Sequence, residues 1–255
     1  MRPFRLGTTS YILPDEIIPN VEFLGPRVDD IELVLFESDE LSNLPDPRTV
    51  GRLRELAATH GLTYTVHLPL DADLGDVEEA ARRRSVAKCE RVIDRLAPVS
   101  PVAYLVHFHE DLSPAPAPRP APEWLAALRR SMEDLLERVA DPELLCVETL
   151  SYPFGWVDAI VAEMGASICL DVGHVLLAGE RVEAYLDRYL PRTRVVHLHG
   201  LREGQDHRDL GGLPEGLLSL LLTRLASDPL PERVVTLEVF NRADFEASLA
   251  ILEGR

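Results

Sequence analysis

Val195-Val196-His197 ends a short apolar run on a metal-type ligand, and five other stretches of the chain end the same way. They are Thr65-Val66-His67, Leu105-Val106-His107, Cys146-Val147-Glu148, Cys169-Leu170-Asp171 and Thr236-Leu237-Glu238. If these runs are strands whose ends converge on one rim, three imidazoles and three carboxyl groups meet there. Such a group repels itself and is costly to desolvate unless cations neutralise it. Seven of the eight histidines lie in or beside such stretches, and only His60 stands apart. The pattern points to a metalloenzyme.

Working outward, strand-like runs alternate with helix-like runs from end to end. The spacing predicts strands at Phe4–Thr8, Ile31–Phe36, Thr63–Leu68, Ala103–Phe108, Leu144–Glu148, Ile168–Asp171, Arg194–Leu198 and Val234–Glu238. Helical periodicity fills the gaps, most clearly at Arg48–Thr59, Val77–Leu96 and Glu123–Val139, with shorter stretches at Asp15–Leu24, Gly155–Met164, Arg181–Tyr189, Pro214–Leu225 and Arg242–Leu252. Eight β–α units of about 32 residues each fit a single (β/α)8 barrel spanning residues 1–255. The rival, a doubly wound open sheet, would usually carry a glycine-rich phosphate turn after its first strand. Here that segment is Leu6-Gly7-Thr8-Thr9-Ser10, with one glycine. An open sheet would also spread the six ligand-bearing ends along a line, whereas a barrel gathers them around one mouth. The proline-rich stretch Ser113–Pro122 follows the fourth strand and favours a stiff extended course. It reads either as a spacer or as a partial lid over the mouth.

The net charge is −17 and no basic stretch occurs, which argues against a nucleic-acid partner. The only lysine, Lys88, falls in a predicted helix, so Schiff-base chemistry is disfavoured. The start Met1-Arg2-Pro3-Phe4-Arg5-Leu6 has no long apolar core of a signal peptide, and no run approaches a membrane span. Cys89, Cys146 and Cys169 are scattered in apolar surroundings and read as buried free thiols of a reducing compartment. The expected location is therefore cytoplasmic, with no membrane partner and a homo-oligomer left open.

Glu148, Asp171, His197 and Glu238 end the last four predicted strands. Three carboxylates and one imidazole suit a divalent ion such as Mn²⁺, Fe²⁺, Co²⁺ or Zn²⁺. Taken singly, each reads as a helix N-cap or rim salt bridge; four in succession read as a ligand set. His67 and His107 on adjacent strands could hold a second ion, with Glu148 bridging. His109 and His199 each lie two residues beyond another histidine, on the same face but roughly 6–7 Å further along. They are expected nearer the substrate, as donors behind the ligands or as phosphate contacts. His174, just past Asp171, and His207, in a polar loop from Gly200 to Gly212, could hold a third ion. Alternatively, Asp206 and His207 merely turn that loop. Tyr152, Phe154 and Trp156 suggest a stacking wall for a flat ligand, or simple loop packing. Arg202, Arg208 and Arg242 are candidates for an anionic substrate, or plain surface arginines.

These motifs resemble the xylose isomerase-like TIM barrels, a superfamily that includes sugar-phosphate isomerases and epimerases and the type-2 AP endonucleases. The order Glu148, Asp171, His197, Glu238 is similar to the single-metal tetrad of its isomerases, and Cys169-Leu170-Asp171-Val172-Gly173-His174 resembles the family's Asp-x-x-His motif on strand six. The resemblance implies that His67, His107 and His174 are the additional ligands of the endonuclease branch, whose trinuclear zinc site cleaves phosphodiesters. His207-Arg208-Asp209-Leu210-Gly211 is similar to a His-x-x-Leu-Gly segment of that branch. There an aspartate stands two residues before the histidine. Here that position is Gln205 and the aspartate, Asp206, is adjacent, which leaves the third site open. A narrower resemblance is to the cobamide-remodelling phosphodiesterases, bacterial relatives that cut the phosphoester in the nucleotide loop of corrinoids. It rests on Arg5-Leu6-Gly7-Thr8-Thr9-Ser10-Tyr11, Leu33-Val34-Leu35-Phe36-Glu37-Ser38, Tyr64-Thr65-Val66-His67-Leu68-Pro69-Leu70 and Val195-Val196-His197-Leu198-His199-Gly200.

The leading expectation is therefore phosphodiester hydrolysis with one to three divalent ions, Glu148 and Glu238 at the chemistry and His199 among the candidate proton donors. The alternative is a sugar or sugar-phosphate isomerase or epimerase, with one ion and with Glu148 and Glu238 moving a proton on opposite faces of the carbon. A catalytically silent barrel that binds a corrinoid or sugar is a third reading. It is disfavoured because every tetrad position is an ionisable ligand.

Overall fold

The computed structural model describes residues 2–38, 41–109, 120–230 and 232–254. Eight parallel strands close into a barrel: β1 (Arg5–Thr9), β2 (Asp30–Val34), β3 (Thr63–His67), β4 (Ala103–Val106), β5 (Leu145–Glu148), β6 (Ser167–Asp171), β7 (Thr193–Leu198) and, after a two-stranded excursion, β10 (Val234–Leu237). Closure is direct, with Leu6 beside Val235 across the β1–β10 seam and Thr8 beside Ile31 across β1–β2. The expected (β/α)8 architecture is what the chain adopts. Strand boundaries agree to within one or two residues, with His107 and Glu238 just past the ends of β4 and β10.

The helices, α6 apart, follow the anticipated register: α1 (Ile17–Leu24), α2 (Pro47–His60), α3 (Glu79–Leu96), α4 (Pro122–Leu136), α5 (Asp158–Glu163), α6 (Val172–Leu177), α7 (Val182–Tyr189), α8 (Leu217–Ser227) and α9 (Arg242–Glu253). Local chemistry sets several ends. Asp46 caps α2 by accepting from Thr49 N, Pro47 occupies its first turn, and Gly61 closes it in the left-handed conformation at φ 71°. Residues 113–119 of the proline-rich stretch, read as a spacer or a partial lid, lie outside the described residues; Pro122 opens α4.

Two elements depart from the expectation. Helix α6 starts at once after β6, because Asp171 doubles as its N-cap. The polar stretch read as a loop contains an antiparallel hairpin, β8 (Gly200–Arg202) and β9 (Gln205–Arg208), turned by Glu203 and Gly204 at φ 55° and 76°.

Most of the apolar core lies between the barrel and its helices. A second, small apolar cluster lies inside the barrel: Ala103, Leu105, Cys146, Cys169 and Val195. Layers of side chains fill the interior of a closed eight-stranded barrel. They form a dry floor beneath the ionisable rim. The three cysteines are free and buried as expected, and burial pushes the Cys89 and Cys146 thiols up to about 12. Among the described residues, no helix is long and apolar enough to cross a membrane.

Candidate metal centre

All six strand-end candidates meet above this floor, because parallel strands in register deliver their last inward-facing side chains to one mouth. Glu148 is at the centre and is fully buried. Its Oε2 lies 3.0 Å from His107 Nε2, 3.6 Å from His67 Nε2 and 3.6 Å from His197 Nδ1. Its Oε1 lies 3.4 Å from His174 Nδ1. Glu238 Oε2 is 3.2 Å from His197 Nδ1 and 3.3 Å from His207 Nε2. Asp171 Oδ1 accepts from His174 N at 2.6 Å, the N-cap bond of α6, while Oδ2 faces His197 Nδ1 and His174 Nδ1 at 3.6 Å each. The capping role and the inward-facing role thus fall on different oxygens of one residue.

Buried polar atoms in proteins are nearly always hydrogen-bonded. Here Glu148 Oε1, Asp171 Oδ2, His174 Nδ1, His197 Nδ1, His199 Nε2 and Glu238 Oε2 are buried without a hydrogen-bond partner among the described residues. Apart from His199 Nε2, these clustered atoms form a donor set that divalent cations would satisfy. Groups within mutual ligating reach include His67, His107 and Glu148; Glu148, Asp171 and His174; and His174, His199 and His207. The residues present fit one or more divalent ions.

Hydrogen bonds on the far side of each ring decide which nitrogen faces the mouth with a lone pair. His67 Nδ1 is 2.8 Å from Leu68 O, which fixes the proton there and leaves Nε2 toward Glu148 as an acceptor. His207 Nδ1 is 3.0 Å from Asp206 Oδ1, leaving Nε2 toward Glu238. His197 Nε2 is 2.9 Å from Glu32 Oε2, leaving Nδ1 toward three carboxyl groups. His199 is the opposite case. Its Nδ1 accepts from His207 N at 3.0 Å, so the neutral ring carries its proton on Nε2, 3.3 Å from Asp171 Oδ1. His199 thus turns Nε2 toward the Asp171 carboxyl without offering it a lone pair.

Burial works against ionisation of Glu148, yet His107 and His197 hold its carboxyl well below the usual range. Glu238 behaves likewise beside His197 and His207. Burial also opposes charge on His174, but the Glu148 carboxyl close to Nδ1 and the charge of Asp171 push it up to about 10. Protons and cations therefore compete for the same nitrogen.

The residues expected to touch substrate are placed less uniformly. His109 stands edge-on to His107 at 5.2 Å, with Nε2 2.7 Å from Leu70 O. Tyr152 and Phe154 turn inward: Tyr152 is buried edge-on to Trp124 and stacked on Trp156, and Phe154 meets Tyr189. The three aromatics make no wall facing the mouth; only Trp156 keeps partial exposure. Arg202 pairs with Asp209, Arg208 with Gln205, and Arg242 with Glu246, so the structure does not bring these arginines into the ligand cluster. Glu32 was missed from sequence. Its signal was an acid inside the otherwise apolar run Ile31–Phe36.

The sequence profile of the xylose isomerase-like TIM barrels matches residues 26–254. The chain belongs to this family. Its solved relatives include a D-tagatose 3-epimerase-like protein (18% identity, TM-score 0.75, 98% of this chain and 96% of that one). The 3-keto-D-glucoside 4-epimerase of E. coli is similar at 16% identity and TM-score 0.73, covering 98% of each chain. Endonuclease IV of Thermus thermophilus is similar at 21% identity and TM-score 0.71, covering 98% of this chain and all of that one. No sequence among the curated proteins matches. At these identities the likeness carries the fold alone. Both epimerases and an endonuclease share this xylose isomerase-like barrel, so the choice of reaction falls to the ligand set.

Proposed function

We propose that this protein is a phosphodiester hydrolase working with more than one divalent cation. The observation that carries the reading is the placement of Glu148 between two histidine groups, His67 and His107 at Oε2 and His174 at Oε1. A single ion is satisfied by Glu148, Asp171, His197 and Glu238; the extra imidazoles exceed what it can use. Divalent ions in this mouth would polarise phosphate oxygens and acidify water near neutral pH. Glu148 would bridge them, Glu238 and Asp171 would balance their charge, and the rings of His67, His197 and His207 offer lone pairs already turned inward. His199 would keep Asp171 oriented by donating from Nε2. Where His174 holds no ion, its protonated ring would give a proton to a departing alkoxide.

The four sequence segments that resemble the cobamide-remodelling enzymes make the nucleotide-loop phosphoester of a corrinoid the first substrate to try. The test is to incubate metal-reconstituted protein with cobamides and with simple phosphodiesters and to weigh the products. A corrinoid lacking its nucleotide is expected. The Glu148→Gln variant should lose more than about a hundredfold in turnover while keeping the fold, beyond what loss of an outer partner costs. A fully active variant would remove Glu148 from the chemistry.

A second reading, a sugar or sugar-phosphate epimerase, is favoured by the pairing of Glu148 and Glu238 across His197 Nδ1, at 3.6 and 3.2 Å. Two carboxyl groups so placed could move a proton on and off opposite faces of one carbon. About one ion per chain, with epimer interconversion and no phosphodiester cleavage, would select it.

A further inference from the structure

Among the described residues, Glu32 is the one fully buried acid at this mouth that no strand end supplies. It lies mid-way along β2 with its side chain inside the barrel. Its Oε2 is 2.9 Å from His197 Nε2, and its Oε1 has no hydrogen-bond partner among the described residues. A buried acid of this kind is costly, and an apolar side chain of similar volume would fill the space more cheaply. What it does can be read from the ring it faces.

Neutral His197 carries one proton on two nitrogens. On the mouth side, Nδ1 faces carboxyl oxygens of Glu238 at 3.2 Å and of Glu148 and Asp171 at 3.6 Å. Three acceptors there would draw the proton to Nδ1 and convert the nitrogen nearest the mouth into a donor, useless to a cation. On the opposite side Glu32 competes for the same proton, and its contact is the shorter one. We propose that Glu32 is a positioning residue that keeps the His197 proton on Nε2, so that Nδ1 holds its lone pair toward the mouth for a divalent cation. The inference rests on the mouth holding a cation and is independent of which reaction follows.

The test compares Glu32→Leu, which removes the acceptor, with Glu32→Gln, whose amide oxygen still accepts from Nε2. Mn²⁺ affinity is measured by titration calorimetry. The His197 tautomer is read by long-range ¹H–¹⁵N correlation in metal-free protein, at a pH alkaline enough for the ring to be neutral. Glu32→Leu should bind Mn²⁺ about 10- to 100-fold more weakly, with the proton shifted toward Nδ1. Glu32→Gln should stay within about threefold of wild type and keep the Nε2 proton, a rescue that a filler of space would not show. Equal binding by wild type and Glu32→Leu overturns the proposal alone. Equal loss in both variants also overturns it, since the carboxyl itself would then be a ligand. Should the leucine variant fail to fold, an Nδ1 proton on His197 in the metal-free wild type is sufficient to overturn it. Failure of wild type to bind Mn²⁺ at all would remove the metal centre as well, which separates the two failures.

Discussion

Replacing Asp30 by asparagine is expected to stabilise the barrel at neutral pH but not in acid. Asp30 lies in the barrel two residues before Glu32, fully buried, and accepts from Thr63 Oγ1 at 2.6 Å and Thr65 Oγ1 at 2.9 Å. Burial raises its pKa from 3.8 to about 6, against the lowering effect of the two hydroxyls and with help from Glu32. An acid whose folded-state pKa is raised binds its proton more tightly in the fold. Its ionisation therefore costs nothing below pH 3.8, and stability falls as pH climbs to about 6. The gap corresponds to about 3 kcal/mol, fully lost by pH 7. Asparagine removes that loss, but one threonine hydroxyl must turn from donor to acceptor, at a cost of about 1 kcal/mol. The Asp30→Asn variant should be about 2 kcal/mol more stable than wild type at pH 7 and about 1 kcal/mol less stable near pH 4. Urea unfolding in chelator at intervals of pH from 4 to 8 measures the difference. A difference that stays constant over that range would refute the reasoning, because Asp30 would then titrate alike in both states.

Two further outcomes are expected. A divalent ion that binds only the folded mouth should stabilise by about 4 kcal/mol at a thousandfold excess over its Kd, a rise in Tm of about 8–16 °C for a chain of this size. Chelator should reverse it, and a melting temperature indifferent to Mn²⁺, Zn²⁺ and chelator would count against the centre. Gly173→Ala should cost about 1–3 kcal/mol in urea unfolding, because a Cβ there would lie 2.6 Å from His199 Nδ1 and closer still to its Cε1 and Nε2. An unperturbed variant would mean that His199 is free to move.

The barrel was legible because each strand is a short apolar run and each helix keeps its own period, and nothing in the tertiary structure overrides them. Convergence of the strand ends was legible for the same reason: inward-facing side chains at the ends of parallel strands have one place to go. Glu32 was not, since the predicted strand began at Ile31 and an acid within it gave no sign of facing a histidine 165 residues away. The hairpin of β8 and β9 was hidden because Gly200–Arg208 carries no apolar alternation. The aromatic loop failed for a different reason. Composition states that Tyr152, Phe154 and Trp156 are close in the chain, but the direction of each ring is set by Trp124 and Tyr189, which arrive from other elements.

The hairpin also sets how Asp206 meets its neighbour His207. Adjacent residues of a strand face opposite ways. Yet Asp206 Oδ1 still reaches His207 Nδ1 at 3.0 Å, because His207 adopts φ 54° and breaks the alternation. A non-glycine residue in that region stores about 1–3 kcal/mol, and such residues cluster where function holds them. The acid thus lies behind the imidazole rather than beside it. It would fix the proton on Nδ1 and leave Nε2 facing Glu238, at 3.3 Å. With His199 committed as a donor by the same hairpin backbone, any ion held here would draw on His174, His207 and Glu238. Any third ion would therefore take its carboxyl oxygen from the barrel rather than from the hairpin.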